Sequence, residues 1–280
     1  MKKPKEKFKK DRALRFYNEV LGLDRLHYGL WIDSDERNID GLIQAQKRYE
    51  DLLVDEIDNL SDQNSGFSVL DVGCGTGATS ETLFGKKYKV EGLSPDLYQK
   101  ELFEKRVPVP FHLARYQNFD SEKAYDLILM SESAQYIPLG RLFDKTNQLL
   151  KPNGNLLVCD YFVLDDATGK MAKSGHRLSA FLEEAQKNNF QIVKEEDITE
   201  AILPTLDTAK AFVERYIIPS LDIAREKIQE RRPWLYKTLK WFFRKKISKV
   251  HDDMILIDSS EFRKNKRYML FVFRKNEIPQ

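Results

Sequence analysis

The sequence is poor in several things, and each shortage excludes a class of protein. It has two cysteines, Cys74 and Cys159, in 280 residues. That is too few for a disulfide scaffold, and neither sits in a metal-ligand spacing. A reducing, cytoplasmic setting follows. Four histidines leave little material for a histidine-rich metal centre. No apolar run approaches the roughly 20 residues a membrane-spanning helix needs. The basic start, Lys2 to Lys10, has no apolar segment behind it and so does not read as a signal peptide. Net charge is only +2, which argues against a general nucleic-acid binder.

What remains is the composition of a globular protein with a real core, 41% hydrophobic and 32% charged. Strand-like runs alternate with helical spacing at Ser68–Asp71, Tyr88–Leu93, Val109–Leu113, Tyr125–Met130, Asn155–Tyr161 and Gln191–Glu195. Helices are expected between them at Ala78–Phe84, Pro95–Lys105, Leu139–Leu150 and Gly175–Lys187, with Lys151–Gly154 as a turn. This alternation is the mark of an α/β fold with a parallel sheet. Upstream, Leu42, Ala45, Tyr49, Leu52, Leu53 and Ile57 recur at helical spacing over Ile39–Ile57. Downstream the alternation stops until a last β-rich run, Arg267–Phe273. Four units follow: an N-terminal helical cover (1–60), a core (61–198), a helical lid inserted before the last strand (199–262), and the closing strand with its tail (263–280).

The chain is organised around Val69-Leu70-Asp71-Val72-Gly73-Cys74-Gly75-Thr76-Gly77. A buried strand runs into a turn with glycine at alternate positions, where a ligand can lie against bare main chain. The spacing differs from the G-x-G-x-x-G of dinucleotide folds. The string resembles motif I of the class I S-adenosylmethionine (SAM) methyltransferases. That resemblance implies a Rossmann-like seven-stranded, mostly parallel sheet with helices on both faces, and SAM as cofactor. It assigns cofactor contacts to Asp71, Gly73, Gly75 and Gly77.

The second strand ends in Gly92-Leu93-Ser94-Pro95, with Gln99 five residues beyond Ser94. Most class I members carry an acid at the Ser94 position. The serine version, with its later glutamine, is similar to that of cyclopropane-fatty-acid synthases and related small-molecule methyltransferases. By that likeness Ser94, Pro95 and Gln99 contact the cofactor. After the third strand, Arg115 stands where an acid usually meets the adenine amine, and it cannot accept a hydrogen bond. The Tyr116 ring and backbone groups are left to hold the adenine.

The fourth strand ends in Ser131-Glu132-Ser133-Ala134-Gln135-Tyr136, which should face the reacting methyl. It resembles the corresponding segment of the tocopherol-methyltransferase and cyclopropane-synthase branches, with Gln135-Tyr136 replacing their Glu-His pair. That replacement argues for plain methyl transfer. Phe16-Tyr17 and Leu26-His27-Tyr28-Gly29-Leu30-Trp31 are similar to the cofactor-covering segment of the same branch, which adds Tyr17, Tyr28 and Ser131 as cofactor contacts. Packing of aromatics onto the sheet is an equal reading for Tyr17 and Trp31. If a base is required, Glu132, His27 and Tyr136 are the candidates in that order.

The expected acceptor is a small or lipid-like molecule. An RNA or protein methyltransferase and a non-catalytic SAM-binding protein are the rivals. Arg231 to Val250 carries eight basic residues and no acid, with Trp234 and Trp241 on one side of a helical wheel. This stretch reads as a lid helix or as a peripheral contact with anionic membrane, with a second subunit as a further partner for the tryptophans.

Overall fold

The computed structural model describes residues 8–61, 66–234 and 253–276. Strands β1 (Ser68–Val72), β2 (Lys89–Ser94), β3 (Phe111–Leu113), β4 (Tyr125–Ser131), β5 (Leu150–Val163), β6 (Phe190–Asp197) and β7 (Lys266–Lys275) form one sheet in the order β3-β2-β1-β4-β5-β7-β6. Strands β1 to β5 pair in parallel, and β7 runs antiparallel to both β5 and β6. The strand order reverses between β1 and β4, so a ligand crevice opens at the carboxyl ends of those two strands.

The central strands are continuous apolar runs because both faces are covered. Successive side chains alternate between faces. Leu70, Ile128, Met130, Leu156, Val158, Phe271 and Phe273 pack on one side with Leu142 and Phe143 of α5 (Leu139–Leu149) and Phe181 of α6 (Leu178–Lys187). Val69, Leu127, Leu129, Leu157, Leu270 and Val272 pack on the other with Tyr49, Leu53 and Ile57 of α2 (Ile39–Ser61) and Leu83 of α3 (Ala78–Gly85). Each fully buried leucine or phenylalanine contributes about 1.5–3 kcal/mol. The connection from β2 to β3 is α4 (Leu97–Arg106), capped by Asp96, whose carboxylate accepts the Tyr98 and Gln99 N–H groups.

Three expectations change. The turn expected at Lys151–Gly154 lies inside β5, where the register to β4 shifts between Tyr125 and Leu127. Asn153 there has φ 60°, so the segment bends as a bulge without ending the strand. The helix expected from Gly175 begins at Leu178. The region expected as a lid starts with α7 (Thr199–Phe212), whose Ile202, Leu203 and Leu206 are buried in the same cluster as α2. An apolar helix face reads alike whether it covers a sheet or a pocket, and here the sheet takes it. Beyond a π-helical turn, α8 (Ile218–Arg231) buries no residue. The basic stretch from residue 235, with Trp241, lies outside the described residues, whereas Trp234 is described and exposed. Helix α9 (Ser259–Asn265) returns the chain to the sheet. Among the described residues no helix is long and apolar enough to cross a membrane.

The N-terminal segment crosses the crevice mouth. Lys9 bridges to Asp96, and the Asp11 N–H donates to the Asp96 carboxylate at 2.8 Å. A short helix α1 (Arg12–Arg15) and a π-helical turn (Phe16–Val20) follow. Residues 27–31 then thread between α2 and α7. The Leu30 N–H donates to Ala45 O, and the Trp31 N–H to Ala201 O. Thr205 Oγ1 accepts both the Gly29 N–H at 3.0 Å and Trp31 Nε1–H at 2.8 Å. A Cβ on Gly29 would sit 2.6 Å from Ala45 Cβ, so only glycine lets the strand of cover lie this close. Trp31 is therefore a packing residue, buried with Leu23, Leu42 and Ala45.

Candidate active site

The glycine turn leaves β1 with three residues in the left-handed region, each for a different reason. Gly73 has φ 75°, and a Cβ there would meet Ser133 Cβ at 2.5 Å. Gly77 has φ 85°, opens α3, and is packed against the Phe103 ring. Gly75, at φ 56°, has open space where a Cβ would point. Asp71, one residue before the end of β1, is buried and accepts the Ser80 hydroxyl at 2.6 Å, tying β1 to α3. Burial pushes its pKa up to about 6.

Beside the turn lies a cavity of about 720 Å³. Its wall includes Asp71, Gly73, Gly75, Ser94, Pro95, Gln99, Arg115, Tyr116 and Ser131, and, at the end nearer β4, His27, Glu132 and Tyr136. Phe8, Lys9, Asp11 and Leu14 of the N-terminal segment also line it. Gly77, Tyr17 and Tyr28 are outside the lining. Gly77 is turned to Phe103, Tyr17 is 42% exposed, and the Tyr28 ring packs against Tyr268 and Phe262.

The polar groups of the wall divide into committed and uncommitted. Ser94 is buried, and its Oγ accepts the Asp96 N–H at 3.1 Å, which leaves its own proton to donate. Gln99 Oε1 is buried without a hydrogen-bond partner. The Tyr116 hydroxyl is spent on Thr146 of α5, 2.7 Å away in the core, so only ring and backbone remain for a ligand. Arg115 stands exposed just beyond β3.

At the β4 end, Glu132 has φ 50°, an uncommon backbone state for a side-chain-bearing residue. Its Oε1 accepts the Tyr28 N–H and the Tyr268 O–H, both at 2.6 Å. Burial outweighs these two donors and raises its pKa to about 7. The same residue, Tyr28, fixes His27: its carbonyl accepts Nδ1–H at 2.7 Å. The imidazole stacks on Tyr49 with centroids 4.3 Å apart, and its Nε2 is buried without a partner. Because a carbonyl can only accept, the proton is on Nδ1 and Nε2 carries a lone pair. Burial lowers the His27 pKa to about 4. Tyr136 is 78% exposed, at the cavity mouth.

Several groups here have no signal in the sequence. Tyr49 Oη lies 3.0 Å from Tyr268 Oη and 3.1 Å from Ser131 Oγ. Asp160, at the end of β5, is buried and accepts the Gln135 N–H at 3.1 Å, holding the loop that carries Glu132. Burial and the charge of Glu132 raise its pKa to about 8.

Residues 45–201 match the family described as a methyltransferase domain, a span that takes in the glycine turn, Gln99 and Glu132. The chain belongs to that family. It is a SAM-dependent methyltransferase of class I. Methyltransferase GfsG of Streptomyces halstedii is 28% identical over 204 residues, covering 65% of this chain and 71% of that protein. Geranyl diphosphate C-methyltransferase from Streptomyces coelicolor A3(2), solved with Mg²⁺, geranyl diphosphate and S-adenosyl-L-homocysteine (SAH), superposes with TM-score 0.65. It is 16% identical, with 95% of this chain and 93% of that one covered. Cyclopropane synthase MmaA2 from Mycobacterium tuberculosis gives 0.60 at 16% identity, with 90% of that chain covered.

The methyltransferase cavity suits its cofactor on its own terms. SAM carries ribose hydroxyls, an ammonium and an adenine amine, all donors, and two residues of the wall, Gln99 and His27, hold buried acceptors, Oε1 and Nε2, that the chain leaves unsatisfied. The open side of Gly75 leaves main chain for the ligand to approach.

Proposed function

We propose that this methyltransferase acts on a small or lipid-like acceptor enclosed between the N-terminal cover and the ends of β4 and β5, with Glu132 as the group that takes the acceptor's proton. The observation that carries this reading is the cavity itself. It runs from the glycine turn to Glu132 beneath residues 8–14, and about 720 Å³ is the size of a pocket for small molecules. An RNA or protein acceptor would need an open groove at that end.

When bound, SAM supplies an electrophilic methyl on a positively charged sulfur. The chain's work is then positional, an effect that supplies roughly 7–11 kcal/mol in favourable systems. The Tyr28 N–H and the Tyr268 O–H hold Glu132 Oε1 and leave Oε2 to meet the acceptor. A carboxylate with pKa about 7 is an effective base at neutral pH. His27, neutral with its lone pair on Nε2, accepts a hydrogen bond and takes no proton.

The test is methyl-labelled SAM incubated with a metabolite extract and with RNA and protein fractions. Label in small molecules, lost in Glu132→Gln, is expected. Label confined to the macromolecular fractions would overturn the reading.

A further inference from the structure

Among the described residues Glu132 has no counterion. Its two partners, the Tyr28 N–H and the Tyr268 O–H, are neutral donors, and both fall on Oε1. An ionised carboxylate withdrawn from water normally acquires a cationic partner. Two other buried acids have one, Glu50 from Arg25 Nε at 2.5 Å and Glu56 from Lys194 Nζ at 2.6 Å, whereas buried Asp71 accepts only the Ser80 hydroxyl among the described residues.

Among the described residues, none of the cations lining the cavity pairs with Glu132. Arg25 belongs to Glu50, Arg115 is exposed beyond β3, and Lys9 is exposed at the mouth. Lys266 is buried close by, but its ammonium lies 3.9 Å over the Tyr161 ring and 3.0 Å from Ser174 Oγ. An anionic acceptor would therefore face the Glu132 carboxylate, which none of these cations neutralises. A cation would meet Glu132 Oε2 and, at the mouth, the Tyr136 ring, whose face attracts positive charge.

We propose that the methyl acceptor is an amine that arrives as its ammonium ion and pairs with Glu132 Oε2. This rests on the small-molecule reading above and narrows it. The ammonium gives one proton to the carboxylate, and the freed nitrogen lone pair forms the C–N bond as the C–S bond breaks, its electrons remaining on sulfur. Positive charge thus passes from sulfur to nitrogen, and the proton on Glu132 leaves to solvent. Once that proton has left, the carboxylate pairs with the newly methylated ammonium. The same carboxylate placed against the sulfonium would stabilise the ground state and slow transfer.

Calorimetry on the full-length protein, saturated with SAH, tests this with octylamine, 1-octanol and octanoate as probes. Octylamine is expected to bind at least about tenfold more tightly than octanol, the worth of one charge-assisted hydrogen bond, and octanoate not at all. Glu132→Gln, and Glu132→Ala as a second variant, should erase the preference for the amine and leave SAH affinity unchanged, which also certifies that the variants are folded. Octanoate binding as well as octylamine would overturn the proposal. So would an amine preference that survives both substitutions, or a loss of SAM affinity relative to SAH in Glu132→Gln, which would pair the carboxylate with sulfur. Methylation of alcohols with SAH binding intact would sink the amine assignment alone. Failure to bind SAH or SAM would sink the underlying methyltransferase reading.

Discussion

Tyr268 Oη donates to Glu132 Oε1 at 2.6 Å, joining the start of the last strand to the loop after the fourth. The contact exists because β7 enters the sheet antiparallel beside β5, with Tyr268 opposite Tyr161. That places the beginning of β7 at the carboxyl end of the parallel strands. The hydroxyl favours the ionised form of Glu132, and Tyr268→Phe removes that help. The Glu132 pKa should then rise further. If the carboxylate is the base, the acid limb of kcat/KM against pH moves toward alkaline pH, on the order of one pH unit. An acid limb that stays put would separate Tyr268 from the chemistry.

Glu132 should also cost the cofactor-free protein stability. A carboxyl in the unfolded chain ionises near pH ~4.3, whereas the folded-state pKa is about 7. Between those values the folded protein keeps a proton that the unfolded chain has lost, so this group's contribution falls as pH rises and levels off above 7. Glu132→Gln carries no such penalty. Urea unfolding should show it more stable than the parent by about 1–2 kcal/mol at pH 8, discounted for partial exposure, and nearly equal at pH 5. A gain independent of pH would assign the effect to packing instead.

The glycine turn yields a three-way comparison. Gly75→Ala adds a Cβ into open space on the cavity side. Its backbone penalty is about 1–2 kcal/mol, and its main effect should be lost SAM affinity in a folded protein. Gly73→Ala and Gly77→Ala drive a Cβ to 2.5 Å from Ser133 and 2.9 Å from Phe103, so melting temperature should drop first. Equal loss of fold in all three variants would refute the distinction.

Gln99 is the simplest cofactor test, because its Oε1 has no partner to lose in the chain. Gln99→Leu should leave cofactor-free stability unchanged or raised and weaken SAM by about 1 kcal/mol. Ser94→Ala, which removes a hydroxyl that accepts the Asp96 N–H, should weaken SAM by a similar amount and also loosen the start of α4. Undiminished SAM affinity in both would place the ribose elsewhere.

The turn, Ser94 and Gln99 were legible because their geometry is local: a strand, a bend and a helix start within a few residues. Glu132 was legible from its place at a strand end. Tyr49 and Tyr268 were not. Tyr49 sits among apolar residues at helical spacing, and Tyr268 in a run buried on both faces, so nothing in either pattern marks a hydroxyl aimed at a site. Their partners are 82 and 136 residues away. The direction of Tyr116, whose hydroxyl joins Thr146, and the burial of α7 on the sheet are likewise tertiary facts.

His27 decides which group owns the pH profile. Its Nδ1–H is held by the Tyr28 carbonyl, its ring is stacked on Tyr49, and its buried Nε2 has no partner that would favour a second proton. Burial lowers its pKa to about 4, against the ~6.5 of a free imidazole. At neutral pH it is therefore an acceptor without appreciable basicity. Nuclear magnetic resonance should find this imidazole neutral, with its proton on Nδ1, from pH 8 down to pH 5.5. His27→Asn, whose amide reaches only as far as Nδ1, loses the acceptor at Nε2 and should cost SAM affinity while leaving the acid limb of the rate profile where Glu132 sets it. If the limb instead disappears in His27→Asn and survives in Glu132→Gln, the base is the histidine and the carboxylate only binds.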